Sequence, residues 1–480
     1  MKFLKRLMIR DQLNKFMSLD EDCFKINSKI NKWDIWPIIR YNLSEIILSE
    51  NNLAAVNNKN YLYKKKKGIK ILLKKFIGLS VSLLSFRNFF GQSDILVIND
   101  QNTMLPSSII NTNETFLTYC IRKSLLPNKS LCIININTPI KIPKINTINI
   151  SNLLSLLRFF YIKIFYTNKL KNLLSMIFKK VKKHYDIDIN WASKIITQNI
   201  VHQILLAKFI CLFIFLKNPK IIIYSDDGRM RCVNKIAKKY NIKTIHYQHA
   251  VLSSETINHR YAHKDPFVEY RSDYFFAWGD YRMQLYNDFY KCIDVGNPYF
   301  NFMFNRFKDD LKNKSSITII SDGNLTLNKL SELALALADH FSDKIINYKL
   351  RYEEYDKWNN VYPIEFSQIN NINVIDTNDV PLYQYFNESD YVIGTNSTAL
   401  VEAIGFAQVI VYEIGFYFDI EDYIYDNVVL SSKNIKETID KIESKSVSES
   451  GIKLNNIFKA NSKKNINNAI DNIISGEKIT

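Results

Sequence analysis

The sequence predicts an α/β protein of two Rossmann-like, doubly wound domains facing a cleft, with an N-terminal helical arm. Three observations predict it. Short apolar runs of strand length alternate with helical stretches from residue 93 onward. That alternation builds parallel sheets with helices on both faces. The runs fall into two series that meet at Gly296-Asn297-Pro298. Finally, 480 residues that are 47% hydrophobic and 23% charged can bury several cores, which excludes wholesale disorder.

In order along the chain, residues 1–60 read as a helical arm. KWDIWPIIRYNLSEIIL places Trp33, Trp36, Pro37 and Arg40 at helical spacing. Residues 61–92 read as a basic amphipathic linker, with Lys64 to Lys67, Lys70, Lys74 and Lys75 among apolar side chains. Such a segment suits contact with an anionic membrane surface, or a solvated connection. Residues 93–298 form the first Rossmann-like domain. Its strand signals are SDILVIND, SLCIININ, PKIIIYSDD, IKTIHYQH, DYFFAWG and CIDVGNP. Residues 299–430 form the second, with SITIISDGN, KIINYKL, NINVID, DYVIGTN and QVIVYEIG. Residues 431–480 read as surface helices and a polar, loosely ordered tail.

The net charge of +17 favours anionic partners. No nucleic-acid module underlies it, so nucleic acid is not expected. The six cysteines form no CxxC pair, which argues against a zinc ribbon or redox motif. Met1 to Phe16 lacks the uninterrupted apolar core of a secretory signal. Phe76–Phe86 and Phe209–Leu216 both fall short of the roughly 20 apolar residues of a membrane span. The expected location is cytoplasmic, peripheral at the inner face of the cytoplasmic membrane.

Four constellations carry chemistry. In YSDDGRMR a buried strand ends in Asp226, Asp227 and Gly228. Ligands of open α/β sheets bind at the carboxyl ends of strands. Either aspartate suits a general base, and either suits a helix N-cap. A second strand ends in Gln248 and His249 on the same rim, with Asn297 in the cleft. A third ends at Gly394, followed by Asn396, Ser397 and Thr398 opening a helix that carries Glu402. Hydroxyls and free N–H groups there suit an anion, and Glu402 suits a ribose. Lys349 and Arg351 end a fourth strand, and Ser321 and Gly323 a neighbouring one. The two cations suit neutralisation of a diphosphate leaving group without metal. Asp186 and Asp188 form a DxD between helical segments, away from any nucleotide domain.

The strand–Asn-Ser-Thr–helix–Glu segment, the Gln-His strand end and the Gly-Asn-Pro hinge resemble bacterial GT-B glycosyltransferases. The resemblance is to those of surface-polysaccharide biosynthesis, capsule and lipopolysaccharide O-antigen. Asp226-Asp227-Gly228 also resembles the acidic motif of bacterial sialyl- and polysialyltransferases. The resemblance spans residues 220–415. Ala250 stands where such enzymes read Gly after Gln-His, and Arg351-Tyr352 where many read His-Pro. It implies a nucleotide-sugar donor in the second domain and a lipid-linked or growing glycan acceptor in the first. It further implies inversion, with Asp227 or Asp226 as base and His249 beside them. No cofactor and no metal are expected. A nucleotide-sugar epimerase of the same fold and a non-catalytic assembly factor remain the alternatives.

Overall fold

The computed structural model describes residues 2–26, 29–30, 32–50, 90–101, 104–105, 114–125, 129–137, 142, 145–253, 265–307, 315–323, 327–356, 358–414 and 420–477. The basic run Lys64–Lys75, expected at a membrane surface, lies outside the described residues.

The arm contains helices Lys2–Phe24 and Ile35–Glu50, separated by the two-residue strands β1 (Lys29–Ile30) and β2 (Trp33–Asp34). Then come β3 (Ile95–Asn99), β4 (Leu131–Asn135), β5 (Asn146–Asn149), β6 (Ile221–Tyr224), β7 (Lys243–Tyr247), β8 (Tyr274–Ala277) and β9 (Lys291–Asp294). They form one parallel sheet in the order β5-β4-β3-β6-β7-β8-β9. A second parallel sheet holds β10 (Ser316–Ile320), β11 (Ile345–Lys349), β12 (Ile372–Ile375), β13 (Ser389–Gly394), β14 (Gln408–Tyr412) and β15 (Leu430–Ser432). Its order is β12-β11-β10-β13-β14-β15. The two-sheet architecture expected from the sequence is therefore the one observed.

The strands are apolar because both faces are covered. In β3 and β6 every residue is buried, so the hydrophobic run is continuous rather than alternating. Each fully buried Ile or Val contributes roughly 1.5–3 kcal/mol. β5 and β15 were not expected. Both are edge strands, short and rich in Asn, Thr or Ser, so they carry little apolar signal.

Each sheet starts in its middle, grows one way, then crosses to the other side of its first strand. The reversal lies between β3 and β6 in one sheet, and between β10 and β13 in the other. Loops diverge at such a point and leave a crevice.

Helices of the first domain and the arm brace the first sheet. Asn190–Lys217 is long and apolar enough by composition to cross a membrane. Its Ile196, Ile200, Ile204, Ile210 and Phe213 instead sit in the core. The arm packs against it through helix Ile35–Glu50. The arm itself is pinned by Arg40, whose Nε and Nη2 each lie 2.8 Å from the Asp20 carboxylate. Trp36 Nε1 donates to the same carboxylate at 3.1 Å.

The tail corrects the sequence reading. Helix Ser462–Ser475 is not a loose end but packs against helix Phe116–Ser124 of the first domain. Ile466, Ala469, Ile470 and Ile473 are buried in the core, and Lys129 pairs with Asp471 at 2.8 Å. Just before it, Phe458 stacks on Phe300 at 3.8 Å and on Trp278 at 5.6 Å.

Candidate active site

The first crevice is built around Asp100, which directly follows β3. Its buried carboxylate accepts from the Ser225 hydroxyl, and from the backbone N–H groups of Ser225 at 3.2 Å and Asp226 at 2.8 Å. Burial and the neighbouring Asp226 push the Asp100 carboxyl up, while Ser225 and His249 pull it back. One carboxylate thus ties the end of β3 to the turn after β6.

That turn separates the two adjacent aspartates. Asp226 caps the short 3₁₀ turn Asp227–Arg229, accepting from Arg229 N at 3.2 Å, and pairs with Arg229 Nε at 3.0 Å. Its side chain remains 14% exposed. Asp227 turns the other way, into the interior. It accepts from Asn234 Nδ2 at 2.9 Å, Tyr224 Oη at 3.0 Å, and Ser272 N and Tyr290 Oη at 3.2 Å. Arg231 pairs with it at 2.9 Å. The expectation that both carboxylates line the rim is therefore corrected. Asp227 is a buried structural anchor, and Asp226 is the member that solvent reaches.

The arm completes this crevice, which sequence reasoning missed. Gly228 is pressed against Tyr41; a Cβ there would lie 2.4 Å from that ring. Gln203 bonds the carbonyls of Ile38 at 3.0 Å and Gly228 at 3.3 Å, tying arm and turn together. Glu45, one turn beyond Tyr41, faces Asp226 and Arg229; burial and Asp226 raise its carboxyl, against Tyr41 and Arg229. The only sequence signal was helical spacing, since the contacts cross the whole first domain.

His249 is exposed, its ring 6.4 Å from the buried His246. His246 bonds the Ser225 carbonyl at 2.9 Å, and burial lowers its pKa to about 4. Gln248 does not face the cleft freely. Its amide bridges the Ala250 carbonyl at 2.8 Å and Trp278 N at 2.7 Å, which shapes the loop carrying His249. Asn297 is buried, its Oδ1 accepting from Tyr299 N and Phe300 N at 3.0 Å as cap of helix Pro298–Phe307.

The second crevice repeats the device. Asp322, after β10, accepts from Thr395 Oγ1 at 2.6 Å and pairs with Arg351. Ser321 Oγ accepts from Gly323 N at 3.1 Å and donates to Glu354 Oε1 at 3.0 Å. Gly323 has φ +77°, a left-handed turn that favours glycine. Ser321, Asp322, Gly323, Arg351 and Thr395 are thus one cluster at the ends of three strands. Arg351 is the half-exposed cation, 46% accessible.

Three residues differ from the roles expected. Lys349 is buried and donates to the Thr377 carbonyl at 2.8 Å, Asn378 Oδ1 at 3.2 Å and the Tyr355 hydroxyl. It clamps the loop after β12, and burial lowers its pKa to about 8. Gly394 sits under Leu400, whose side chain a Cβ would meet at 3.1 Å, so it serves strand–helix packing. Ser397 caps helix Thr398–Ala403, accepting from Ala399 N at 3.3 Å. That helix has six residues, so its dipole is small. Asn396 Oδ1, by contrast, has no hydrogen-bond partner among the described residues.

Glu402 lies at the seam between domains. Tyr383 from the second domain, Tyr299 from the hinge helix and Cys120 from the first domain lie near it. Burial raises its carboxyl to about 7, with the Tyr383 hydroxyl pulling the other way. Among the described residues no cluster of three or more His, Cys, Asp or Glu side chains is placed to hold a metal ion. Asp186 ends helix Asn168–Tyr185 in a left-handed conformation, and Asp188 accepts from Asn190 N at 2.9 Å.

The sequence matches no protein-family model and no curated protein. Solved structures do match. The S. aureus MnaA–UDP structure is 14% identical, spans 81% of this chain and 99% of its own, and has a TM-score of 0.50. The putative UDP-N-acetylglucosamine 2-epimerase from Listeria monocytogenes is 11% identical, spans 81% and 100%, and scores 0.50. The wall teichoic acid polymerase TagF is 12% identical, spans 84% and 97%, and scores 0.43. At these identities the likeness concerns architecture, and on that level it agrees with the two facing parallel sheets: the chain has the GT-B fold.

Proposed function

We propose that this protein is a glycosyltransferase that moves a sugar from a nucleotide-sugar donor to a glycan acceptor. The observation that carries the reading is the split between the adjacent aspartates. One is locked inside, and the other is held by Arg229 at the mouth of the first crevice. A carboxylate so held suits proton abstraction from an acceptor hydroxyl. Asp226 takes that proton as the hydroxyl oxygen attacks the anomeric carbon. The anomeric carbon–phosphate oxygen bond breaks, and the nucleotide leaves with the bonding electrons. Attack from the face opposite the phosphate inverts the anomeric centre.

We assign the donor side to Arg351, Gly323, Thr398 and Asn396, which follow the ends of β11, β10 and β13. Arg351 exchanges Asp322 for a phosphate, an interaction that charge assistance strengthens. Glu402 accepts from a ribose hydroxyl. Uridine is the base to test first, because the S. aureus MnaA structure, of the same fold, holds UDP. The acceptor is a lipid-linked or growing surface glycan, of capsule or lipopolysaccharide. Turnover is expected to survive EDTA.

A thermal-shift series with UDP, CMP, GDP and ADP tests donor recognition, since a ligand that binds the native state raises the melting temperature. Stabilisation by one nucleotide, reduced in Arg351→Ala, is expected. No shift with any of them would sink the donor assignment. Because epimerases share the fold, the purified protein is then given donor alone. Interconversion of free nucleotide sugar without acceptor would favour an epimerase instead.

A further inference from the structure

We propose that the packed helices Ser151–Phe165 and Ser193–Lys217 form a surface that lies on an anionic lipid bilayer. This goes beyond the transfer reaction and does not rest on it. Phe159 is 51% exposed, Phe160 53%, Ile164 66%, Leu212 45% and Phe215 66%. Large apolar side chains left this open mark an interaction surface when they are grouped. The grouping is physical. Phe159 and Phe160 touch edge to face at 5.6 Å. Lys208, Leu212 and Phe215 share one stripe of their helix at i, i+4 and i+7. Lys208 reaches across to the Tyr161 ring, 4.8 Å from its centre, and joins that stripe to the neighbouring helix.

Charge names the occupant. Residues 150–185 and 189–225 contain no Asp or Glu. Lys163 lies over Phe159 at 5.9 Å, and Lys171 over Tyr166 at 4.7 Å. Lysines rimming aromatic and aliphatic side chains are the chemistry of a helix lying in a headgroup layer. Aliphatic Ile164 and Leu212 offer nothing to nucleic acid. Residues 51–89 also lack Asp and Glu, so they carry the same sign. The Phe90 carbonyl accepts from Lys217 Nζ at 3.0 Å, two residues beyond Phe215. The helix pair does not span, because the inner face of Ser193–Lys217 is core.

The test is sedimentation of the full chain with vesicles of phosphatidylcholine, alone or with about a third phosphatidylglycerol. Binding to the anionic vesicles, weakening with salt, is expected. Phe160→Ser/Ile164→Ser/Phe215→Ser should weaken it about tenfold or more, with an unchanged melting temperature. Val268→Ser/Tyr425→Ser, exposed apolar residues elsewhere, should leave it unchanged. Lys163→Gln/Lys171→Gln/Lys208→Gln gives a second reading if the serine variant does not fold. Parent-like binding by the triple-serine and triple-glutamine variants, no binding by the parent, or a parent dimer that the triple-serine variant dissociates would each overturn the proposal.

Discussion

Asp226 and Asp227 are neighbours in sequence with opposite fates, so their asparagine variants should fail differently. Asp226→Asn keeps the hydrogen-bonding shape but cannot take a proton. Its kcat should fall by roughly 10²–10⁴ while nucleotide affinity stays near normal. Asp227→Asn leaves Arg231 buried without its counter-charge, which costs about 3–5 kcal/mol in comparable cases. Urea unfolding should show that loss, and any fall in turnover should follow the fall in folded protein. Steady-state kinetics and unfolding curves on both variants separate the roles; equal kinetic damage at equal stability would undo the assignment. Glu402 has a titration of its own. Its carboxyl is raised to about 7, so folding favours the protonated form. The stability it contributes is present below about pH 4.5, the usual glutamate value, and is lost as pH rises through about 7. Chemical unfolding across that window should show a downward slope that is absent in Glu402→Gln. Identical slopes would mean the carboxyl is not buried in this way.

At the scale of elements, the turn after β6 is held from outside by the arm. Gly228→Ala should push helix Ile35–Glu50 off the turn, because Tyr41 occupies the space a methyl group needs. Melting temperature and turnover should both drop. Tyr41→Ala in the same chain should restore part of the melting temperature by vacating that space. A Gly228→Ala protein as stable as the parent would show that the arm yields freely. Here the limits of sequence reading become physical. The strand runs were legible because central parallel strands are covered on both faces and must be apolar throughout. The crevices were legible as polar residues abruptly ending those runs. Asp100 was not singled out, although it ends SDILVIND in the same way; its partners Ser225 and Asp226 lie far along the chain. Tyr41 and Glu45 gave no signal beyond helical spacing, since a helix face looks alike whether it meets a core or a site. Helix Ser462–Ser475 was misread because its average composition is polar. Its apolar residues, at Ile466, Ala469, Ile470 and Ile473, follow i, i+3, i+4 and i+7, and periodicity outweighs composition.

Across the whole molecule the two sheets use one device twice. An aspartate after the first strand, Asp100 or Asp322, accepts hydrogen bonds from the loop after the strand beyond the reversal. Each domain thereby fixes its own crevice, while a separate aromatic seam holds the pair together. Phe300 of the hinge helix meets Tyr383 and Phe406 of the second domain and stacks on Phe458, which stacks on Trp278 of the first. Phe458→Ala should therefore destabilise by about 3–5 kcal/mol, the cost of emptying a buried aromatic site. Calorimetry should also resolve two transitions in place of one, because the domains lose a shared contact. A single transition at the parent temperature would place the coupling elsewhere. The clasp of helix Ser462–Ser475 over helix Phe116–Ser124 has a further meaning during synthesis. The first domain leaves the ribosome with helix Phe116–Ser124 lacking the helix that packs on it. At roughly 5–20 residues per second, the second sheet must be translated before that cover arrives, a delay of about ten seconds or more. Through that interval the nascent chain carries an open apolar face. Helix Ser462–Ser475 then closes that face, and a ribosome stalled within the second domain would hold a chain that chaperones recognise and proteases can enter.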